Sequence, residues 1–481
     1  MFLEGRFGRL FRNLPSFVPP KEALDQLGAQ MLEPDGAGGE FDGPIPAGYT
    51  YLGQFIDHDI TFDPVSSLQR QNDPDALHDF RTPRLDLDSL YGDGPNNNPY
   101  LFDPNVDGGK TSFLIGQNPS GERDLPRNVL PSSPAGVPQG RALIGDPRND
   151  ENVIVGQLHL TFLRFHNKVV ERLKAEGFNT GVDDGTVLDR LFEEAQRQVR
   201  WHYQWIVLHD FLPRICGDAV VNDILRTEEY ATVAGSVQRP VIRLQFYHWQ
   251  REPFMPVEFS VAAYRFGHSM IRPAYNLNGN IPPNIPIFTH GDLQDEHADL
   301  RGFRTLASAW TIDWSFFFGD GPNVQFARKI DTKLSRPLED VPAAGTPSAL
   351  AVRNLERSAA LGLPSGQRVA RAMGIEPMDD GTLGITALSE QFEEAAPLWF
   401  YVLKEAEAGG GAQLGPIGGR IVAEVLLGLV KGDPFSFVNV EPNWKPTLGS
   451  TQGQFTMKDL VDFVEGQEPA PPPPPNPGWP P

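Results

Sequence analysis

The stretch Y-L-G-Q-F-I-D-H-D-I-T-F-D-P, residues 51–64, decides how this chain is read. Wound as a helix, it puts Gln54 and His58 one turn apart on the same face, with Asp57 and Asp59 each turned about 100° to either side. Three neighbouring polar side chains therefore address three different targets. An imidazole buried between two carboxylates is costly unless each group finds a partner, so the segment asks for an ion, a cofactor or arginines nearby. A solvated turn with an ordinary surface histidine is the alternative this segment leaves open on its own.

Two further segments narrow the choice. L-I-G-D-P-R-N-D-E-N, residues 143–152, opens a helix predicted over 151–175. Asp146 or Asn149 could cap it, and Glu151 in its first turn suits the positive end of the helix dipole. Capping does not account for Arg148, a permanent cation set among loops just before a helix start. In Y-R-F-G-H-S-M-I-R-P, residues 264–273, Arg265 and His268 stand at i and i+3 on one helix face. Gly267 removes bulk beside the histidine, which lets a flat ligand approach. Taken alone, His268 reads more readily as a hydrogen-bonded core histidine than as a metal ligand. His159 and His166 share a helix face two turns apart, too far for one small ion without bridging ligands, and read as core residues. His202, His209, His248, His290 and His297 show no metal-binding spacing.

Bulk properties exclude several classes. At 481 residues the chain can bury one large core or a few smaller ones. Lys and Arg total 41 against 62 Asp and Glu, a formal net charge of −21 that repels nucleic acid and anionic membranes. The one cysteine, Cys216, excludes an intramolecular disulfide framework and any multi-thiolate site. No run of apolar residues is long enough to span a membrane, and the first residues carry no uninterrupted apolar stretch. The expectation is a soluble chain, cytoplasmic or exported without a standard signal peptide.

Prolines and glycines crowd into residues 14–50, 92–148, 273–292 and 432–450, which read as long surface connections. Helical patterns lie at roughly 52–60, 151–175, 186–212, 256–272, 296–310, 348–361, 387–407 and 418–430. The best strand candidate is V-I-R-L-Q-F-Y at 241–247, and the last fourteen residues suit an extended polyproline tail. The economical organisation is an N-terminal extension over 1–24, one mainly α catalytic domain over 25–450, and a C-terminal segment with the Pro-rich tail over 451–481.

Together the motifs carry a resemblance. G-Q-F-I-D-H-D (53–59), G-D-P-R-N-D-E (145–151), Y-R-F-G-H (264–268), and R-N-L-E-R (353–357) followed by G-L-P match in order and approximate spacing. A weaker match is R-T-P-R-L-D-L-D-S-L-Y-G at 81–92. The chain resembles the animal-type haem peroxidases of the peroxidase-cyclooxygenase superfamily, which includes myeloperoxidase and lactoperoxidase; without disulfides it is similar to a bacterial-type member. The implied fold holds haem within a bundle of helices joined by long loops, with little β structure.

The resemblance also implies roles. His58 would be the distal histidine, a neutral imidazole that takes a proton from hydrogen peroxide and returns it to the departing oxygen. Arg148 would stabilise charge developing as the O–O bond breaks, and Gln54 would help hold water, peroxide or a halide. His268 would bind the haem iron, with Asn354 as the acceptor partner of its other ring nitrogen. Arg265 and Arg357 fall where relatives contact haem propionates. Asp57 and Glu151 occupy the positions of ester links to a haem b derivative, hydrogen-bonding carboxylates around a non-covalent haem being the alternative. Asn152 stands where a methionine makes a third, sulfonium link in myeloperoxidase, so that link is excluded. Asp59, Asp86, Asp88, Thr82 through hydroxyl and carbonyl, and the Arg84 carbonyl would form an all-oxygen calcium site.

The expected activity is peroxide reduction, with bromide, iodide, thiocyanate or phenols as electron donors. Fatty-acid oxygenation by superfamily relatives uses a tyrosine three residues before the proximal histidine; that position is Arg265 here, and Tyr264 is one residue off. A haem-binding adhesion or matrix protein with incidental peroxidase activity is the alternative outside enzymes. Nothing in the sequence indicates an oligomeric state.

Overall fold

The computed structural model describes residues 5–466 apart from 64–71, 129, 133–135, 138, 179–186, 233–234, 290, 292, 294 and 343–344. His290 and the Pro-rich tail therefore lie outside the described residues. The core is helical. Helix α1 (Lys21–Gln30) precedes α2 (Gly48–Ile60), and α3 (Val153–Ala175) is followed by α4 (Val187–Ile206). After a β-hairpin come α5 (Leu350–Ala360), α6 (Leu398–Ala408), α7 (Pro416–Gly432) and α8 (Met457–Glu465). Among the described residues no helix is long and apolar enough to cross a membrane.

Helix α2 is the centre of the packing because its sequence is apolar almost all round, the pattern of a helix with no solvent face. Leu52, Phe55, Ile56 and Ile60 are wholly buried, and from Tyr51 to Ile60 only Gln54 and Asp57 are less than fully buried, at intermediate exposure. Phe55 stacks on Phe162 of α3 with ring centroids 4.6 Å apart, which fixes α2 against the longest helix. At the start of α2 a Cβ on Gly48 would meet the Phe317 carbonyl oxygen at 2.6 Å, so only glycine lets the helix enter there.

The helices at 52–60, 151–175, 348–361 and 418–430 form close to where the sequence puts them. Others do not. Asn152 caps α3 by accepting the Val155 N–H at 2.9 Å, whereas Asp146 caps a separate 3₁₀ turn, Pro147–Asp150. The expected helix over 186–212 passes at Val207–Phe211 into a π turn. The expected helix over 256–272 is a π turn, Glu258–Ala262, followed by a 3₁₀ turn, Ala263–His268, with the break at Ala262 (φ −125°, ψ −79°). Residues 296–310 are not helical in the described chain. Phe303 and Ala309 have left-handed φ of 55° and 63°, and the Arg304 guanidinium occupies the carbonyls of Glu296, Asp299 and Arg301. The helix expected over 387–407 begins only at Leu398, after Pro397, because Glu394 (φ 51°) interrupts what precedes it.

The expected strand over 241–247 is mostly loop. Strands β1 (Leu225–Thr232) and β2 (Gly235–Ile242) form a hairpin in register Leu225↔Ile242. Beyond Ile242, the buried Glu424 carboxylate of α7 accepts the N–H groups of Gln245, Phe246 and Tyr247, replacing a strand partner. The N-terminal segment is strapped onto the same body. Residues Gly5–Gly8 pair with His78–Asp79 and Met255–Pro256, and the Leu10 and Phe11 N–H groups donate to Glu258. That contact ties the segment to the turn leading to His268.

Candidate active site

The geometry begins with His58 near the end of α2, where it is 5% exposed. Its Nδ1 lies 2.8 Å from Asn149 Oδ1, so that nitrogen donates and Nε2 keeps its lone pair. Nε2 looks toward Glu151, with Oε1 3.9 Å away. Gln54, one turn earlier, donates to the same Glu151 oxygen and accepts from Asn152 Nδ2 at 3.2 Å. Burial, reinforced by the Arg148 charge, pushes the His58 imidazole down to about 3, which keeps it neutral.

Arg148 is fastened from behind. It donates to Asp146 and to the carbonyls of His58 (2.9 Å) and Thr61 (2.5 Å), closing the last turn of α2. The group lies over the Phe62 ring at 4.7 Å, and its Nη1 makes no hydrogen bond among the described residues. Asp146 also receives Arg81, and the two guanidinium groups hold its carboxyl far below the usual carboxylate range against the effect of burial.

His268 stands in the 3₁₀ turn, where three residues complete one turn, so Arg265 and His268 are stacked. Asn354 of α5 lies between them. Its Oδ1 accepts from Arg265 Nη1 at 2.6 Å, and its Nδ2 meets His268 Nδ1 at 2.7 Å. Arginine can only donate, so the amide oxygen must face it and the amide N–H must face the histidine. The sequence reading expects Asn354 to accept from His268; Arg265 reverses that polarity. Arg265 also donates to the Ser260 carbonyl at 3.2 Å, and burial together with the Arg357 charge pushes it down to about 10. Arg357 pairs at 2.8 Å with Asp63, just beyond α2.

Asp57 joins the two clusters, since Arg148 and Arg265 both act on it and oppose the upward push of burial. Burial likewise lifts Glu151 to about 7. Yet Gln54, Asp57, Glu151, Arg265, Gly267 and His268 all keep accessible surface, 40% for the Glu151 side chain. Groups so strongly desolvated and still reachable border an internal cleft. A Cβ on Gly267 would meet nothing within 4 Å, so the cleft continues beside His268. Two imidazoles, two carboxylates and cations that repel one another fit a flat, dianionic cofactor such as haem.

A second cluster adjoins α2. Oxygens of Asp59, Asp86 and Asp88 all lie within 4.8 Å of one another. Asp59 accepts from Ser89 Oγ at 2.9 Å and Leu87 N at 3.2 Å, Thr82 Oγ1 donates to Asp86 at 2.9 Å, and the Thr82 N–H reaches Asp88 at 3.1 Å. Leu87 takes a left-handed φ of 59° to make the turn. Burial and the Asp86 charge lift Asp59 to about 7 and Asp88 well above the ordinary range. Asp88 Oδ1 is buried without a hydrogen bond among the described residues. This carboxylate set suits a hard cation. The Arg84 N–H donates to the Thr82 carbonyl at 2.8 Å within the same loop.

Three residues near the site escape the sequence reading. Asn149 looks like a helix cap and instead holds His58; Ser89 looks like part of a loop and instead bonds Asp59. Asp146, the other candidate cap, anchors Arg81 and Arg148. The one usable signal is the order Asp-Pro-Arg-Asn-Asp-Glu-Asn, in which Asn152 is the better cap for the apolar run and frees Asn149.

The family model described as animal haem peroxidase matches residues 71–447. A human protein named probable oxidoreductase PXDNL is 26% identical over 245 residues, 48% of this chain and 15% of its own length. The chain therefore spans a small part of that curated relative. Among solved structures, peroxidase A from Dictyostelium discoideum has a TM-score of 0.58 at 16% identity, covering 98% of this chain and 94% of its own. A fatty acid alpha-dioxygenase from Oryza sativa has a TM-score of 0.56 at 15% identity, covering 94% and 77%. These likenesses establish a shared fold, and the family match over most of the sequence establishes the lineage: the chain belongs to the animal haem peroxidase family.

Proposed function

We propose that this chain reduces hydrogen peroxide at a haem held in the cleft between His58 and His268, drawing electrons from bromide, iodide, thiocyanate or phenols. The observation that carries the reading is the state of His58. It is neutral, tied through Nδ1 to Asn149, and directs Nε2 toward the space bordered by Gln54 and Glu151. When bound, haem supplies the iron at which peroxide is reduced. His58 takes a proton from one peroxide oxygen and hands it to the other, which leaves as water. Arg148 brings a fixed positive charge beside that exchange. His268 would hold the iron, with Asn354 against its other ring nitrogen, and Arg265 and Arg357 would pair with the carboxylates of the haem.

Asp57 and Glu151 are proposed to form ester links to the haem periphery. Calcium is proposed at Asp59, Asp86, Asp88 and Thr82, and the Arg84 carbonyl completes the set if the loop closes around the ion. Fatty-acid oxygenation finds little support, because the Tyr264 hydroxyl is committed to the Gly53 carbonyl at 3.2 Å. The test is purification with haem supplied, a Soret spectrum, and guaiacol or bromide oxidation with peroxide. Acidic organic extraction that leaves haem with the protein supports the esters. A chain that never develops a Soret band overturns the reading.

A further inference from the structure

We propose that Asn149 and His159 act together as positioning residues for His58, fixing which of its ring nitrogens carries the proton and so whether Nε2 meets peroxide as a base. The inference rests on the reading of His58 as the distal base. Asn149 lies between two imidazoles, with Oδ1 at 2.8 Å from His58 Nδ1 and Nδ2 at 3.0 Å from His159 Nδ1. Neither Asn149 nor His159 has any accessible surface. Asn149 belongs to the Pro147–Asp150 turn, and its own N–H donates to the Asp146 carbonyl at 3.1 Å, so its backbone is fixed. His159 is held on α3 with its ring 6.0 Å from that of Phe55.

A carboxamide has one accepting end and one donating end, so a single orientation sets the proton on both histidines. With the oxygen toward His58, that ring carries its proton on Nδ1 and offers Nε2 as a base. With the ends exchanged, His58 Nε2 would hold the proton and donate. His159, accepting at Nδ1, keeps the first arrangement in place. A second observation fits this use. His159 Nε2 is buried with no hydrogen-bond partner among the described residues, a cost that phenylalanine at the same place would avoid. Keeping an imidazole there makes sense if its other nitrogen serves Asn149.

The experiment uses the ferrous carbonyl of the haem-loaded protein and reads the C–O stretch by infrared spectroscopy. In the wild type the Nε2 lone pair faces the ligand and the band lies at high frequency. In Asn149→Leu and His159→Phe, His58 is free to turn an N–H toward the ligand, and a lower-frequency band is expected. Stopped-flow reaction with peroxide should slow on the order of tenfold or more in both. Asn149→Asp, whose carboxylate still accepts from Nδ1–H, should keep the wild-type band. Unchanged bands in both disrupting variants with intact Soret spectra overturn the proposal. A shift in Asn149→Leu alone overturns the part assigned to His159. A wild-type protein that binds no haem overturns the underlying reading instead.

Discussion

Two histidine–asparagine pairs flank Asp57, and their hydrogen bonds run in opposite directions. Asn149 offers its oxygen to His58; Asn354 offers its N–H to His268. The difference lies in what holds the far end of each amide. Arg265 has no acceptor and can tolerate only an oxygen, so the Asn354 orientation is chemically locked. His159 can accept or donate, so the Asn149 orientation depends on the state of a second imidazole. The His58 side therefore leaves Nε2 with its lone pair, whereas on the His268 side a permanent cation fixes which end of the amide meets the ring. The two sides should respond differently to the same kind of damage.

The largest expected effect separates them outright. His268→Ala should lose haem, seen as loss of the Soret band on gel filtration, unless ester links retain the cofactor with altered ligation. His58→Ala should keep haem and slow the reaction with peroxide on the order of 10²- to 10⁴-fold. Equal loss of haem from both variants would erase the distinction between base and ligand.

A smaller effect should fall on the His58 side alone. Asp59 follows His58 in sequence and belongs to the three-aspartate cluster, while among the described residues no aspartate of that cluster bonds the His268 side. Without a cation, Asp59 in the folded protein titrates near 7, above its unfolded value, because burial and Asp86 oppose its charge. A raised carboxyl contributes stability that is fully present below the unfolded value and is lost as pH rises through about 7. Chelator-treated protein should thus lose thermal stability as pH rises from about 4 to about 7, by at most about 1 kcal/mol per pH unit, and level off above that. Added calcium should remove most of that slope. Chelation should slow the peroxide reaction and leave the iron–histidine vibration unchanged.

What could be read in advance follows the range of the interactions. Gln54, Asp57, His58 and Asp59 were legible because helical geometry within eleven residues decides which faces they occupy. Burial on every side of α2 agrees with that apolar pattern. Arg265 and His268 keep their shared face for a different reason, since a 3₁₀ turn brings i and i+3 together more directly than the expected α-helix. The helix expected over 296–310 fails because Arg304 satisfies carbonyls from outside, a long side chain replacing the helical ladder. Asn149 was hidden because it meets His58 across 91 residues of sequence, and no local pattern encodes such a meeting. The direction of the Asn354 bond was hidden too, because it is decided by a third residue 89 positions away.

The smallest effect tests that direction. Arg265→Met removes the donor that holds the Asn354 oxygen and leaves a side chain able to fill part of the same space. The amide can then rotate and accept from His268 Nδ1–H instead of donating to it. A neutral imidazole that binds iron through Nε2 carries its proton on Nδ1, and an acceptor for that N–H makes the ligating nitrogen more basic, so rotation should strengthen the bond to iron. Resonance Raman of the ferrous protein should show the iron–histidine stretch at higher frequency, and the ferric/ferrous potential should fall. The His58 side should not register the change, with the C–O band and the peroxide rate near wild type. Asn354→Leu should give an intermediate frequency, because it removes both donor and acceptor. If Arg265→Met leaves the stretch where it was, the guanidinium does not govern the amide, and the asymmetry between the two pairs must come from His159 alone.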